Sequence, residues 1–360
     1  MARIDAFLKL GVAQGCSDLH LAVGVPPMLR MHGDLMPIKF RELGEAELEG
    51  YITEVLTQNQ LKHLREGNDI DFSYVSTDGG RFRVNVFRKE TGMGAAFRSI
   101  PTQMPTMEQL GLPPIVRKLC DYHQGMILVT GSTGTGKSTT LASMIDYLNT
   151  TRSLNIISLE DPIEFVHRSQ NCLIQHREVG IHTRSFAAAL RGALREDPDL
   201  ILVGEMRDHE TIELALTAAA TGHLVFGTLH TSSAAKAVDR IIDVFPTHQQ
   251  NQIRTTLSES LKAVIAQNLF KTIDKPGRVA ALEILVVDMA IANLIREGKT
   301  HQIPGMIQVG KKKGNQPLDD AIMEHLRNAR ISPEEAYDKS LDKKKFRQFL
   351  KEPPADASEE

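Results

Sequence analysis

An α/β fold whose core is a parallel sheet is predicted by two features of the chain. From about residue 115 short apolar runs alternate with helical apolar spacing, strand then helix, which a parallel sheet with helical crossovers accommodates. The runs themselves, LILV at 200–203 and LVF at 224–226, are almost continuously apolar, as strands covered on both faces must be. A smaller α+β unit is expected before this core and a mostly helical region after it.

Residues 1–100 form the first unit. Ala2 to Gln14 has helical spacing, and Ser17 to Val23, Met28 to His32 and Leu35 to Ile38 read as short strands separated by glycine and proline. Glu45 to Leu64 reads as one helix and Ile70 to Val75 as a further strand. Arg81 to Arg88 alternates, with Phe82, Val84 and Val86 on one face and Arg81, Arg83 and Asn85 on the other. The unit resembles a PAS domain in size and order of elements. Its two arginines are either ordinary solvated strand residues or groups that reach a neighbouring subunit.

Pro101, Pro105, Pro113 and Pro114 mark residues 101–114 as a linker. In the core, 115–350, strands are expected at Met126 to Thr130, Asn155 to Leu159, Leu173 to Gln175, Leu200 to Val203 and Leu224 to Thr228. Helices fall at Ser138 to Thr150, Ser185 to Arg195 and His209 to Ala220. Beyond Pro246 helices dominate, with a hairpin between Asn268 and Val287, and Lys311 to Lys313 reads as a solvated turn. The Pro-rich, acidic stretch 351–360 is expected to be disordered.

Composition narrows the function classes. Of 360 residues, 41% are apolar and 24% charged, ordinary globular values. A net charge of −3 and 5% aromatic residues argue against a strand-tracking nucleic-acid channel. Cys16, Cys120 and Cys172 lack C-x-x-C spacing, which argues against a zinc site or a disulfide framework and fits a reducing cytoplasm. The start of the chain lacks the basic-then-apolar order of a signal peptide, and Glu283 and Asp288 interrupt the apolar stretch Leu282 to Ile295, so no membrane span is expected.

The stretch GMILVTGSTGTGKST, Gly125 to Thr139, carries the most chemistry. Gly131, Gly136, Lys137 and Ser138 stand in G-x-x-x-x-G-K-S spacing. Gly131, Gly134 and Gly136 have no Cβ, so successive N–H groups can close around a phosphate; Ser132, Thr133, Thr135 and Thr139 complete the expected phosphate-binding loop. Lys137 can reach the β- and γ-phosphates, and the Ser138 hydroxyl can ligate the magnesium that bridges them. A strand before and a helix after bring the anion to a helix N-terminus. An accidental match arises in roughly one chain of this length per hundred and would lack that context.

Three further stretches follow apolar strands with polar groups, where ligands sit in open α/β sheets. In SLEDPIE, Ser158 to Glu164, the carboxylates of Glu160, Asp161 and Glu164 are expected beside the phosphate-binding strand, holding magnesium through water or orienting the attacking water; a surface acidic turn is the alternative. DPDLILVGEMRD, Asp197 to Asp208, has the form of a Walker B element, but Gly204 stands where Asp is expected and the acid follows as Glu205. Glu205 is then the expected general base or water positioner, with magnesium left to Glu160 or Asp161, and Arg207 either senses the γ-phosphate or pairs with a carboxylate. In GHLVFGTLHT, Gly222 to Thr231, His223 and His230 bracket a strand, either as structural histidines or as switches that bond the phosphate or the catalytic carboxylate.

GSTGTGKSTT, SLEDPIEF, REDPDLILVGEMRD and GHLVFGTLHT occur in that order, and together with SDLHL and RFRVNVFR the chain resembles the secretion ATPases of type II secretion and type IV pilus systems. In that family these four core motifs are the Walker A, Asp, Walker B and His boxes. Extension ATPases of the family carry a longer N-terminal region and commonly a four-cysteine zinc insertion, which this sequence lacks. AIANLIRE, Ala290 to Glu297, instead resembles the AIRNLIRE signature of PilT-type retraction ATPases, departing from it at Ala292, where the pattern has Arg. The resemblance implies a RecA-like core, ATP and Mg2+, hydrolysis between the subunits of a hexameric ring, and Arg81 and Arg83 acting in trans. It also implies a cytoplasmic protein held peripherally at the inner membrane, a platform protein as partner and pilin acted on indirectly, with no nucleic acid.

Overall fold

The computed structural model describes residues 2–31, 34–100, 104–274 and 277–350. The stretch 351–360, His32 and the first three linker residues lie outside them. The chain forms two compact units, residues 1–103 with 164–166, and residues 104–163 with 167–360.

The first unit runs α1 (Asp5–Ala13), β1 (Asp18–Ala22), β2 (Met28–Met31), β3 (Asp34–Pro37), α2 (Glu45–Thr53), α3 (Gln58–Arg65), β4 (Ile70–Val75), β5 (Arg81–Lys89) and β6 (Gly92–Ile100). The strands make one antiparallel sheet in the order β3-β2-β1-β6-β5-β4. Phe82, Val84 and Val86 of β5 are buried while Arg81, Arg83 and Asn85 reach the surface, and the buried set packs with Leu8, Leu48, Ile52 and Phe97. Two expectations change. The single helix over 45–64 is two helices, because Thr57 starts α3 afresh with a capping box to Gln60. A strand absent from the sequence reading, β6, lies at the centre of the sheet between β1 and β5.

The second unit begins with α4 (Pro114–Leu119), β7 (Gly125–Thr130), α5 (Lys137–Thr151), β8 (Asn155–Glu160), β9 (Leu173–Glu178), α6 (Phe186–Ala193), β10 (Leu200–Val203), α7 (His209–Ala220) and β11 (Leu224–Leu229). It continues through α8 (Ala234–Asp243), α9 (Thr247–Ser260), β12 (Leu261–Lys271), β13 (Arg278–Val286), α10 (Met289–Arg296), α11 (Ile303–Val309), α12 (Leu318–Arg327), α13 (Pro333–Lys339) and α14 (Lys343–Arg347). Seven strands form one sheet in the order β13-β12-β7-β11-β10-β8-β9. All neighbours are parallel except β12 and β13. The hairpin is longer than expected: β12 starts where α9 ends and lies along β7.

All six residues of β7 are buried, for a reason its neighbours supply. Met126 and Leu128 enter a core with Leu190, Ile212 and Val238, whereas Ile127 and Val129 enter the opposite one with Leu141, Met144 and Leu148 of α5. At the far end of the hairpin, Phe270 and Val279 are closed over by Leu318, Ile322 and Phe346 of the C-terminal helices. Lys311 and Lys313 pair with Asp320 and Asp288. Among the described residues no helix is long and apolar enough to cross a membrane.

The parallel register pairs Leu229 with Thr130, Val203 with Gly227 and Val203 with Leu159. The segments leaving β7, β11, β10 and β8 therefore emerge along one edge, where open α/β sheets take ligands. Gly125 opens β7 at φ +108°, and a Cβ there would stand 2.5 Å from Lys262 Cε and 2.6 Å from the Ser260 carbonyl oxygen. Gly125→Ala is expected to destabilise the second unit by about 2–4 kcal/mol, read as a lower urea midpoint, and an unchanged midpoint would refute the tight packing at this end of β7.

Candidate functional site

The loop between β7 and α5 takes its shape from three glycines. Gly131, Gly134 and Gly136 sit at φ +149°, +80° and +88°, a region that side chains other than glycine rarely adopt. At two of them space is also exhausted: a Cβ on Gly131 would lie 2.5 Å from the Gln267 carbonyl oxygen, and one on Gly136 would lie 2.9 Å from Gln267 Nε2. Ser132, Thr133 and Gly134 form the exposed crest, and the Thr135 hydroxyl donates to the Ser132 carbonyl at 2.8 Å. Lys137 is buried, and its ammonium donates to the carbonyls of Gly131 (2.9 Å) and Ser132 (3.1 Å), which holds the charge over the loop. Ser138 and Thr139 stand half-exposed in the first turn of α5, whose N-cap Gly136 supplies no side-chain cap. A glycine-shaped concavity, a retained ammonium and uncapped helix N–H groups fit a triphosphate.

Glu205 follows Gly204 at the end of β10. The displacement of the acid has a steric origin, because a Cβ on Gly204 would lie 3.0 Å from the Leu159 carbonyl oxygen and 3.3 Å from Glu160 Cα. A side chain there would press β8 back by a few tenths of an ångström, and the carboxylate stands on the next residue. Arg207 closes on Glu205 with Nε and with the second guanidinium nitrogen, the latter at 2.5 Å from Oε2, and His230 Nε2 lies 2.7 Å from Oε1. In this structure Arg207 pairs with the Glu205 carboxylate. Burial pulls the Glu205 carboxyl upward, but the Arg207 hydrogen bonds and the nearby His230 outweigh it and hold the group below its ordinary 4.5.

Glu160, the last residue of β8, is buried, with His176 of β9 beside it. The His167 backbone N–H donates to His176 Nε2 at 3.1 Å, so the ring proton is on Nδ1, facing Ser158 Oγ at 2.7 Å and Glu160 Oε1 at 3.3 Å. The neighbouring His167 ring is neutral: burial, reinforced by His176, pushes its pKa down to about 4.

The strand order corrects one expectation. β8 is not beside β7 but beyond β11 and β10, so at about 4.8 Å per strand Glu160 and Asp161 start some 14 Å from the phosphate-binding strand. Asp161 is exposed and joined to Pro162 by a cis peptide. Glu164 is exposed and falls in the stretch 164–166 that groups with the first unit rather than with the loop. His223 is a second correction. It precedes β11, at the amino ends of the parallel strands, where its Nδ1 donates to the Ala218 carbonyl at 3.1 Å; about 20 Å of strand separates it from the phosphate loop of its own chain. Arg81 and Arg83 lie on the solvent side of β5.

Two residues that sequence reasoning missed belong to this site: His176, described above, and Gln267 of β12, whose amide bonds the loop at Thr135 and the helix at Thr140. The signal for Gln267 was present, since it is a lone long polar side chain at the end of the apolar run AVIA. Among the described residues no group of three or more His, Cys, Asp or Glu is placed to hold a metal ion.

A carboxyl whose folded pKa lies below its unfolded one contributes stability that is complete above the unfolded value and is lost as pH falls through the folded value. Side-chain carboxylate NMR is expected to place the Glu205 midpoint below 4.5 in the wild type and higher in Arg207→Ala, and equal midpoints would remove Arg207 as the cause.

Comparison with known proteins bears on the chain as a whole. Residues 12–305 match the family of type II/IV secretion system proteins. The chain is 50% identical over 337 residues to the type IV pilus retraction ATPase PilT of Pseudomonas aeruginosa, covering 94% of this chain and 98% of that one. It is 52% identical over 310 residues to a twitching motility protein of Neisseria gonorrhoeae, covering 86% and 83%. A crystal structure of the pilus retraction motor PilT with bound ADP superposes with a TM-score of 0.89 at 44% identity, covering 96% of this chain and 99% of that one. With a sheet, a phosphate loop and a displaced Walker B acid that follow from its own residues, the chain belongs to the type II/IV secretion system protein family.

Proposed function

We propose that this protein is an ATPase that drives retraction of a type IV pilus, working as a homohexameric ring at the cytoplasmic face of the inner membrane. The observation that carries the reading is the match to a retraction ATPase over 98% of that protein's length, which takes in both units and not the nucleotide core alone. AIANLIRE supports it: these residues make α10, capped by Asp288, with Ile291 and Ile295 buried and Ala290, Asn293 and Arg296 facing solvent. Ala292 is half-exposed, so the departure from the signature changes that helix's surface and leaves its packing intact. The motor would act on a membrane platform protein and release pilin from the fibre base.

ATP is the substrate, held by the backbone of residues 131–136, Lys137, Ser138 and Thr139 at the start of α5. Bound magnesium would neutralise charge on the β- and γ-phosphate oxygens. The strand order and the electrostatics favour an allocation of carboxylates opposite to the one read from the sequence. Glu205 stands one strand nearer the phosphate loop than Glu160, and its depressed pKa makes it a poor base but a suitable anion beside a hydrated cation. Glu160, oriented by His176, is the carboxylate left to hold the attacking water. His230 and Arg207 set the position of Glu205, and Arg81 and Arg83 of a neighbouring subunit would stabilise the transferring phosphoryl group.

Glu160→Gln is expected to lose about 10²-fold or more in kcat while still binding nucleotide, whereas Glu205→Gln should raise the magnesium requirement of the ATPase; full wild-type turnover by Glu160→Gln would sink the water-positioning role. Mixing Arg81→Ala and Lys137→Ala chains, each inactive alone, should recover hydrolysis where an intact loop meets an intact arginine, and silence in the mixture would dispose of the in-trans role. In the cell, a deletion strain should remain piliated but fail to twitch, uncorrected by the Lys137→Ala chain; loss of pili would identify an extension ATPase instead.

A further inference from the structure

We infer that Gln267 is a positioning residue for nucleotide binding, which sets the phosphate-receiving conformation of the loop from the neighbouring strand. Gln267 is 3% exposed and continues the buried run of Val264, Ile265 and Ala266, in which a side-chain amide costs free energy unless both of its ends are satisfied. Both are. Nε2 donates to the Thr135 carbonyl at 2.7 Å, and Oε1 accepts from the Thr140 hydroxyl at 2.8 Å. One side chain therefore ties the loop to the first turn of α5, and its rotamer is held from both sides.

The bond to Thr135 has a consequence for the next residue. In a trans peptide the C=O of one residue and the N–H of the next point in opposite directions. With the Thr135 carbonyl drawn towards β12, the Gly136 N–H is turned away from β12, at the head of α5, where an anion would meet it together with the helix N–H groups. A reversed peptide would present a carbonyl oxygen to that anion instead. The loop glycines belong to the same device. The Gln267 carbonyl oxygen and Nε2 are the atoms that a Cβ on Gly131 or Gly136 would strike, so the loop lies directly against this residue. A β12 without this amide would leave the 135–136 peptide free to turn, and binding would have to reorder it.

The inference rests on the loop being a nucleotide site, and the experiment separates the two. Gln267→Met keeps the volume and removes both hydrogen bonds; Thr140→Val leaves the glutamine and releases only its oxygen. A fluorescent ADP analogue is titrated into each, nucleotide-free melting is recorded, and ATP hydrolysis is resolved into KM and kcat. Expected are a loss of ADP affinity and a rise in KM of about tenfold for Gln267→Met and about threefold for Thr140→Val, with kcat at saturation within twofold of the wild type. Affinity within twofold of wild type in both variants overturns the inference, whether or not the melting temperature falls, since a lower melting temperature alone is what a merely structural glutamine would give. Should Gln267→Met fail to fold, Thr140→Val decides the matter on the same readouts. A wild-type chain that does not bind the ADP analogue overturns the nucleotide-site reading itself.

Discussion

The parallel register of β7, β11, β10 and β8 is the constraint on which the rest of the site depends. Each group of the candidate site is supplied at or just beyond the carboxyl end of one of these strands: the glycine loop after Thr130, His230 after Leu229, Glu205 after Val203 and Gly204, and Glu160 closing β8. A one-residue slip in any strand would turn its end group to the other face and exchange the side chains that enter the two cores. The apolar residues on both faces of β7 are therefore as much a part of the site as Lys137, because the cores they enter hold the register.

Crowding at the strand ends then decides which residue carries each charge. Gly204 is pressed against the Leu159 carbonyl, so the acid of that strand appears one residue later and meets Arg207 and His230. With both oxygens engaged, Glu205 is held ionised and in one orientation. Glu160 is held differently, by the His176 imidazole, whose Nε2 accepts from the His167 backbone N–H and whose Nδ1 faces the carboxylate. Two carboxylates a strand apart thus sit in different environments, Glu205 beside a guanidinium and Glu160 beside an imidazole, a difference that the proposed division between charge support and water positioning would use.

Much of this was legible in the sequence where chemistry and local pattern coincide. The phosphate loop, the strand and helix flanking it, the alternation in β5 and the displaced acid at Glu205 all follow from residue spacing. What escaped depends on contacts distant in sequence. β6, with Gly92, Gly94 and two alanines, has poor intrinsic strand preference and is a strand because β1 and β5 pair with it on both sides. The start of β12 reads as a continuation of α9, since the turn from helix to strand at Leu261 is imposed by pairing with β7. Strand order leaves no local trace either, which is why Glu160 was expected beside the loop and His223 within its reach. Gln267 and His176 were missed for the same reason: each matters through a partner in another element.

The distribution of positive charge gives the last step. Lys137 donates to the loop's own carbonyls, and Arg207 and His230 bond Glu205. Phosphoryl transfer spreads negative charge over the oxygens of the transferred group, and a cation that meets that charge only in the transition state is worth about 10³ to 10⁵ in rate. A cation delivered by a neighbouring subunit would couple hydrolysis to movement between subunits. The role proposed for Arg81 and Arg83 of a neighbouring subunit would supply such a cation.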